Sequence, residues 1–127
     1  MWRYFNNNPL GRNVGDCAVR AVSAALGIDW ETAYSMLATN GYLMGDLPQA
    51  NSVIAATLRK EGFYKAIIPD TCPDDCYTAE MFCEDHPHGI YVLGFGSHVA
   101  TVIDGEVWDA WDSTQEIPIY YFYRKDD

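Results

Sequence analysis

Basic residues are scarce in this sequence. Eight Lys and Arg stand against 18 Asp and Glu, giving a net charge of −10 and a pI near 4.4. Phosphate backbones and anionic lipid surfaces are held through Lys and Arg. Eight scattered cations make no such footprint, so neither nucleic acid nor membrane is an expected partner. An acidic surface attracts a basic peptide or protein, and it also keeps a chain in solution. Long hydrophobic runs are missing as well, and none approaches the roughly 18 residues of a spanning helix. The opening Met1-Trp2-Arg3-Tyr4-Phe5-Asn6 has no apolar stretch after a basic start, so no secretory leader is expected. Cysteine is limited to four residues. Without a leader, the expected compartment is the cytoplasm and the expected state is reduced thiols.

What is present is ordinary globular composition, 49% hydrophobic and 20% charged, which excludes a disordered or collagenous chain. A length of 127 residues predicts one domain, 1–127, able to bury a core without staples. No internal repeat or linker interrupts it.

The first half reads as helices. Residues 1–16 hold Asn6-Asn7-Asn8-Pro9 and two glycines and read as extended chain or loop. Asp16 is placed to cap a helix over 17–26, rich in alanine and stopped by Gly27. Asp29 is placed to cap a second helix, from Trp30 to Asn40, with Gly41 as its stop. Asn51 is placed to cap a third over 52–61. A strand candidate follows at 63–68 and a short helix at 78–85. From Gly89 the period changes to that of strands: 90–93, 99–103, 106–111 and 117–123. Asp104-Gly105 is a hairpin signal. Helices followed by an antiparallel sheet predict an α+β fold.

Three positions in this layout invite chemistry. Cys17 opens a helix, where unpaired N–H groups and the positive end of the dipole favour a thiolate and can donate to an oxyanion. The plain alternative is a buried structural cysteine. His98 opens a strand after Gly94-Phe95-Gly96-Ser97. There it is either a surface histidine or the general base for the thiol. On the next strand stand Asp109 and Asp112, and hairpin register selects between them. A two-residue Asp104-Gly105 loop puts Asp109 on the face of His98, whereas a three-residue loop puts Asp112 there. Either carboxylate would orient the imidazole and favour its charged form.

Cys on a helix start, then His on a strand, then Asp on the next strand resembles the papain-like cysteine peptidase superfamily, in particular its small bacterial and phage members. The words that carry the resemblance are Asp16-Cys17-Ala18-Val19-Arg20-Ala21, then His98-Val99-Ala100-Thr101-Val102-Ile103-Asp104-Gly105, then Trp111-Asp112-Ser113. The resemblance implies a papain-like fold and a hydrolase acting on a peptide or amide bond. Cys17 is then the nucleophile, His98 the base and Asp112 the orienting residue, with Asp109 as fallback. No cofactor is implied. One family feature is absent: no Gln precedes the cysteine in Leu10-Gly11-Arg12-Asn13-Val14-Gly15. Asn13 and Asn8 are the amides left to bind an oxyanion. That absence keeps a second reading open, a non-catalytic binding or structural protein on the same fold.

Cys72, Cys76, Cys83, His86 and His88 form a separate cluster. Their spacing is not the paired form of structural zinc sites. Cys83 also falls on the apolar side of a predicted helix. The expectation is free thiols at all three cysteines and no bound metal.

Overall fold

The computed structural model describes residues 1–124. Along the chain come β1 (Trp2–Tyr4), α1 (Cys17–Leu26), α2 (Trp30–Met44), α3 (Asn51–Lys60), β2 (Phe63–Ile67), α4 (Ala79–Asp85), β3 (Ile90–Gly94), β4 (Val99–Ile103), β5 (Glu106–Asp109) and β6 (Tyr120–Arg124). The fold is α+β, with one open six-stranded sheet in the order β1-β5-β4-β3-β6-β2. The sheet is mixed rather than wholly antiparallel, because β1 runs parallel to β5, Trp2 opposite Val107.

Alternation along the strands sorts the core into two layers. Val92, Val99, Phe63, Tyr120 and Phe122 pack against α1, α2 and α3. Leu93, Ala100, Val102 and Val107 pack against Ala79, Phe82 and Cys83 of α4 on the other face. The small residues of α1 explain its central place. Ala18, Ala21, Val22 and Ala25 are all buried, so the helix lies close against the sheet. Thr101 Oγ1 on β4 donates to the Ala21 carbonyl at 2.6 Å. That bond fixes the height of α1 on the sheet and hence where Cys17 stands relative to the strand ends.

The Asp104-Gly105 turn is the two-residue form. Ile103 faces Glu106, and φ is positive at both turn residues, 48° and 78°, as a type I′ hairpin requires. Two glycines serve close approach. Gly94 lies under the Tyr120 ring, where a Cβ would fall 2.0 Å from a ring carbon. Gly41 does not end α2, which continues to Met44 and stops at Gly45 in the left-handed conformation. A Cβ at Gly41 would meet the Asp46 carbonyl oxygen at 2.9 Å, so this glycine admits the returning chain.

Capping also departs from expectation at two of three helices. Asp29 caps α2 through Thr32 N–H at 2.8 Å. Asp16 makes no capping bond to α1. Ala50, not Asn51, is the cap residue of α3; the Asn51 side chain donates instead to the Gly96 carbonyl at 3.2 Å. No helix among the described residues is long and apolar enough to cross a membrane.

Candidate active site

One end of the sheet gathers the chemistry. Cys17 is the first residue of α1, and His98 immediately precedes β4. Their side chains lie close enough to interact, and the Val99 backbone also faces the sulfur. On its other side, His98 Nε2 donates to Asp109 Oδ2 at 2.6 Å, leaving Nδ1 for the sulfur. Asp109 ends β5 and is 1% exposed.

Asp112 is not the partner of His98. It is exposed, and its Oδ1 accepts from the Thr114 N–H at 3.0 Å and the Thr114 hydroxyl at 2.6 Å. Those bonds hold its carboxyl below the usual range. The reason lies in the hairpin. With a two-residue loop, alternation puts Asp109 on the face of His98, and the strand ends there, so Asp112 lies past the turn. Replacing Asp112 by alanine is therefore expected to leave the reactivity of Cys17 unchanged. Stability, read from denaturant midpoints, should change little.

Asp109 is held by more than His98. Its Oδ2 also accepts from the Ser113 hydroxyl at 2.8 Å, and its Oδ1 accepts from the Ala110 N–H at 2.7 Å. Arg20 Nη2 approaches Oδ1 at 3.4 Å, and Arg20 Nη1 is ion-paired with Asp16. Asp16 in turn accepts from Trp30 Nε1 at 2.9 Å and from Asn8 Nδ2 at 3.5 Å. Arg20, Asp16 and Asp109 are all buried. A buried charge is tolerated when it is paired and hydrogen-bonded, and here two carboxylates share one guanidinium and one imidazole. Asp16 is drawn into this network and away from the helix end. The first N–H groups of α1 are thus left without a side-chain cap, beside the sulfur they could serve as oxyanion donors.

Two rings stack on His98: Trp111, with centroids 4.3 Å apart, and Phe95 at 5.8 Å. Both favour a charged imidazole through their π faces.

The electrostatics follow from these contacts. Burial disfavours charge on His98, but the Asp109 and Cys17 hydrogen bonds outweigh it and raise its pKa to about 9. Burial likewise opposes a thiolate at Cys17. The bonds from His98 and Val99 prevail and carry its pKa below the ordinary value. Cys83 is the contrast: burial pushes its thiol up.

The signs predict a pH effect on stability. A raised His98 pKa stabilises the fold fully below 6.5, and that contribution is lost as pH rises to about 9. A lowered Cys17 pKa contributes stability above 9.0 that is lost as pH falls through its folded value. Where the two windows overlap, the effects oppose each other. In the Cys17→Ser variant His98 loses the Cys17 share of its shift but stays raised by Asp109, and no thiolate term opposes it, so stability should fall above pH 6.5 more steeply than in the parent and level off before about 9. Urea midpoints at the two limits check this.

Two of the other three cysteines part from expectation. Cys72 and Cys76 form a disulfide, with Cα atoms 4.4 Å apart, rather than two free thiols. The segment folds back on itself, Asp75 N–H donating to the Thr71 carbonyl at 3.1 Å, and a turn of that size brings residues four apart within bonding range. Cys83 remains a free thiol in the core of α4. His86 stacks on Phe82 at 3.9 Å.

Of the amides considered for an oxyanion, Asn8 is half-buried beside Asp16 and Asn13 is exposed. Arg20, Trp30, Trp111 and Ser113 complete the site, and the sequence alone gives none of them a catalytic role. The one available signal was Asp16 and Arg20 at i, i+4 on a helix otherwise built of small residues.

Comparison with protein-family models, with curated proteins and with solved structures returned no match for this chain.

Proposed function

We propose that this protein is a cysteine hydrolase of papain-like type acting on a peptide or amide bond, with Cys17 as nucleophile, His98 as acid and base, and Asp109 as the orienting carboxylate. The observation that carries this reading is the placement of His98 between the Cys17 sulfur, with which it interacts, and buried Asp109, to which it is bonded at 2.6 Å. A structural cysteine has no use for an imidazole held by a buried carboxylate.

The steps follow from the geometry. The Cys17 sulfur attacks the carbonyl carbon, and the oxyanion is met by N–H groups at the start of α1. The C–N bond breaks, and the amine leaves with the proton held on His98. Water then attacks the thioester. His98 takes its proton, the C–S bond breaks, and the acid departs with the thiolate restored. Asp109 keeps Nε2 occupied, so Nδ1 always faces the reaction. Arg20 and Ser113 keep Asp109 in place.

The test uses p-nitrophenyl acetate, whose acyl group is small enough to need no specific pocket. About one equivalent of nitrophenolate per chain should appear in a burst, with acetyl located on Cys17 by peptide mapping. Release at the buffer rate with no adduct on Cys17 would favour the non-catalytic binding protein instead.

A further inference from the structure

Tyr120 opens β6 at the end of the sheet that carries Cys17 and His98. It stands in one row across the strands with Gly94 of β3 and Val99 of β4, since Gly94 pairs with both. Gly94 has no side chain, and the Tyr120 ring lies across it. A Cβ at that position would fall 2.0 Å from Cζ, the ring carbon that bears the hydroxyl. The ring therefore reaches from β6 toward Val99, whose backbone faces the Cys17 sulfur. Val99 and Tyr120 belong to one packed cluster under the helices, and Cys17 packs against it.

We infer that Tyr120 is a catalytic residue of the hydrolase, its hydroxyl donating a hydrogen bond to the oxyanion that forms when the Cys17 sulfur adds to the substrate carbonyl. The inference rests on the hydrolase reading above.

Three observations select this role. The first is that the hydroxyl is unspent. Tyr120 is 8% exposed, and a tyrosine so buried ordinarily bonds its hydroxyl to a neighbour. Among the described residues this hydroxyl has no hydrogen-bond partner; the contacts of Tyr120 are made by its ring, with Phe122 and Lys65. The second is that the group keeps the proton it would share. Burial, and then the charge on Cys17, push the phenol above its ordinary range. The same effect of Cys17 shows that the two side chains lie within electrostatic reach of each other. The third is the Lys65 ammonium, 4.3 Å from the centroid of the Tyr120 ring. A cation on the ring face draws electron density from it and makes the hydroxyl the stronger donor. The amides suggested by the sequence are placed less well: Asn8 is turned to Asp16, and Asn13 is exposed. The proton stays on Tyr120 throughout. Its bond to the oxygen tightens as negative charge gathers there and relaxes when the carbonyl re-forms.

The experiment compares two reagents on the Tyr120→Phe variant, which removes the hydroxyl and keeps the ring over Gly94. Acylation by p-nitrophenyl acetate passes through an oxyanion. Alkylation by iodoacetamide displaces iodide at a saturated carbon and forms none, so it reports the thiol alone. The expected result is a burst rate constant lowered by about 10²-fold, with the rate and pH profile of Cys17 alkylation unchanged. A merely structural tyrosine would not separate the two. A burst as fast as the parent's overturns the assignment and leaves the hydrolase reading standing. Equal losses in acylation and alkylation also overturn it, because Tyr120 would then act on the thiol. If the parent gives no burst and iodoacetamide modifies its Cys17 no faster than an unactivated thiol, the hydrolase reading fails and the assignment fails with it.

Discussion

In the Cys17→Ala variant the nitrophenolate burst is expected to vanish, and turnover of any amide substrate should fall by on the order of 10⁴-fold or more. The size follows from the role. Every step of the proposed cycle passes through the sulfur, and no other thiol can replace it. Among the described residues, Cys83 is the one other free thiol; it is buried under α4 on the opposite face of the sheet, and burial holds it protonated. The variant should still fold, because Cys17 is only half-buried and His98 keeps its bond to Asp109. A circular dichroism spectrum like the parent's, with the burst gone, is the expected pair of results. A burst that persists with acetyl on another residue would remove Cys17 from the mechanism.

Asp109→Ala is expected to be the costliest single change at the site. It withdraws the carboxylate from between Arg20 and His98, both buried. Breaking a buried pair in this way costs about 3–5 kcal/mol. Two responses soften the loss: Arg20 retains Asp16, and His98 can shed its proton. The second response has a chemical consequence. Without the Asp109 bond, burial dominates at His98 and its pKa falls from about 9. The neutral ring no longer stabilises the thiolate, so the Cys17 pKa should climb. Asp109→Asn separates the two effects, because the amide keeps the shape of the carboxylate and discards its charge. The asparagine variant should lose less stability than the alanine variant and still raise the Cys17 pKa. Denaturant midpoints at pH 7 together with the titration of Cys17 check both. An alanine variant within about 0.5 kcal/mol of the parent would mean that Asp109 does not anchor the network.

Much of this site was legible in the residues, and the part that was not has physical causes. Cys17 was placed by the alanine-rich run after it and the glycine that stops it, both local features. His98 and Asp109 were placed on one face by hairpin register alone, once Asp104-Gly105 is a two-residue loop. The family resemblance pointed instead to Asp112, through the word Trp111-Asp112-Ser113. It erred because β5 ends at Asp109 and the next residues turn away. Trp111 and Ser113 of that word do serve the site, one stacked on His98 and one bonded to Asp109. Glycine and aspartate were harder to read because each has more than one use. Gly41 looked like a helix stop but admits a passing chain, and Asp16 looked like a cap but pairs with Arg20. Long-range geometry decides both, and local propensity does not report it. The parallel strand β1 has three residues, too few for any periodicity to show.

The most direct test of the account is the pH dependence of Cys17 alkylation by iodoacetamide, followed residue by residue with Cys83 as the internal reference. The account predicts that Cys17 titrates below the ordinary thiol value of 9.0 and Cys83 above it. Cys17 should therefore react far faster than Cys83 at neutral pH, and His98→Ala should move its titration back up. A Cys17 that titrates at or above 9.0, unmoved by His98→Ala, would contradict the activation of Cys17 by His98 on which the proposed chemistry depends.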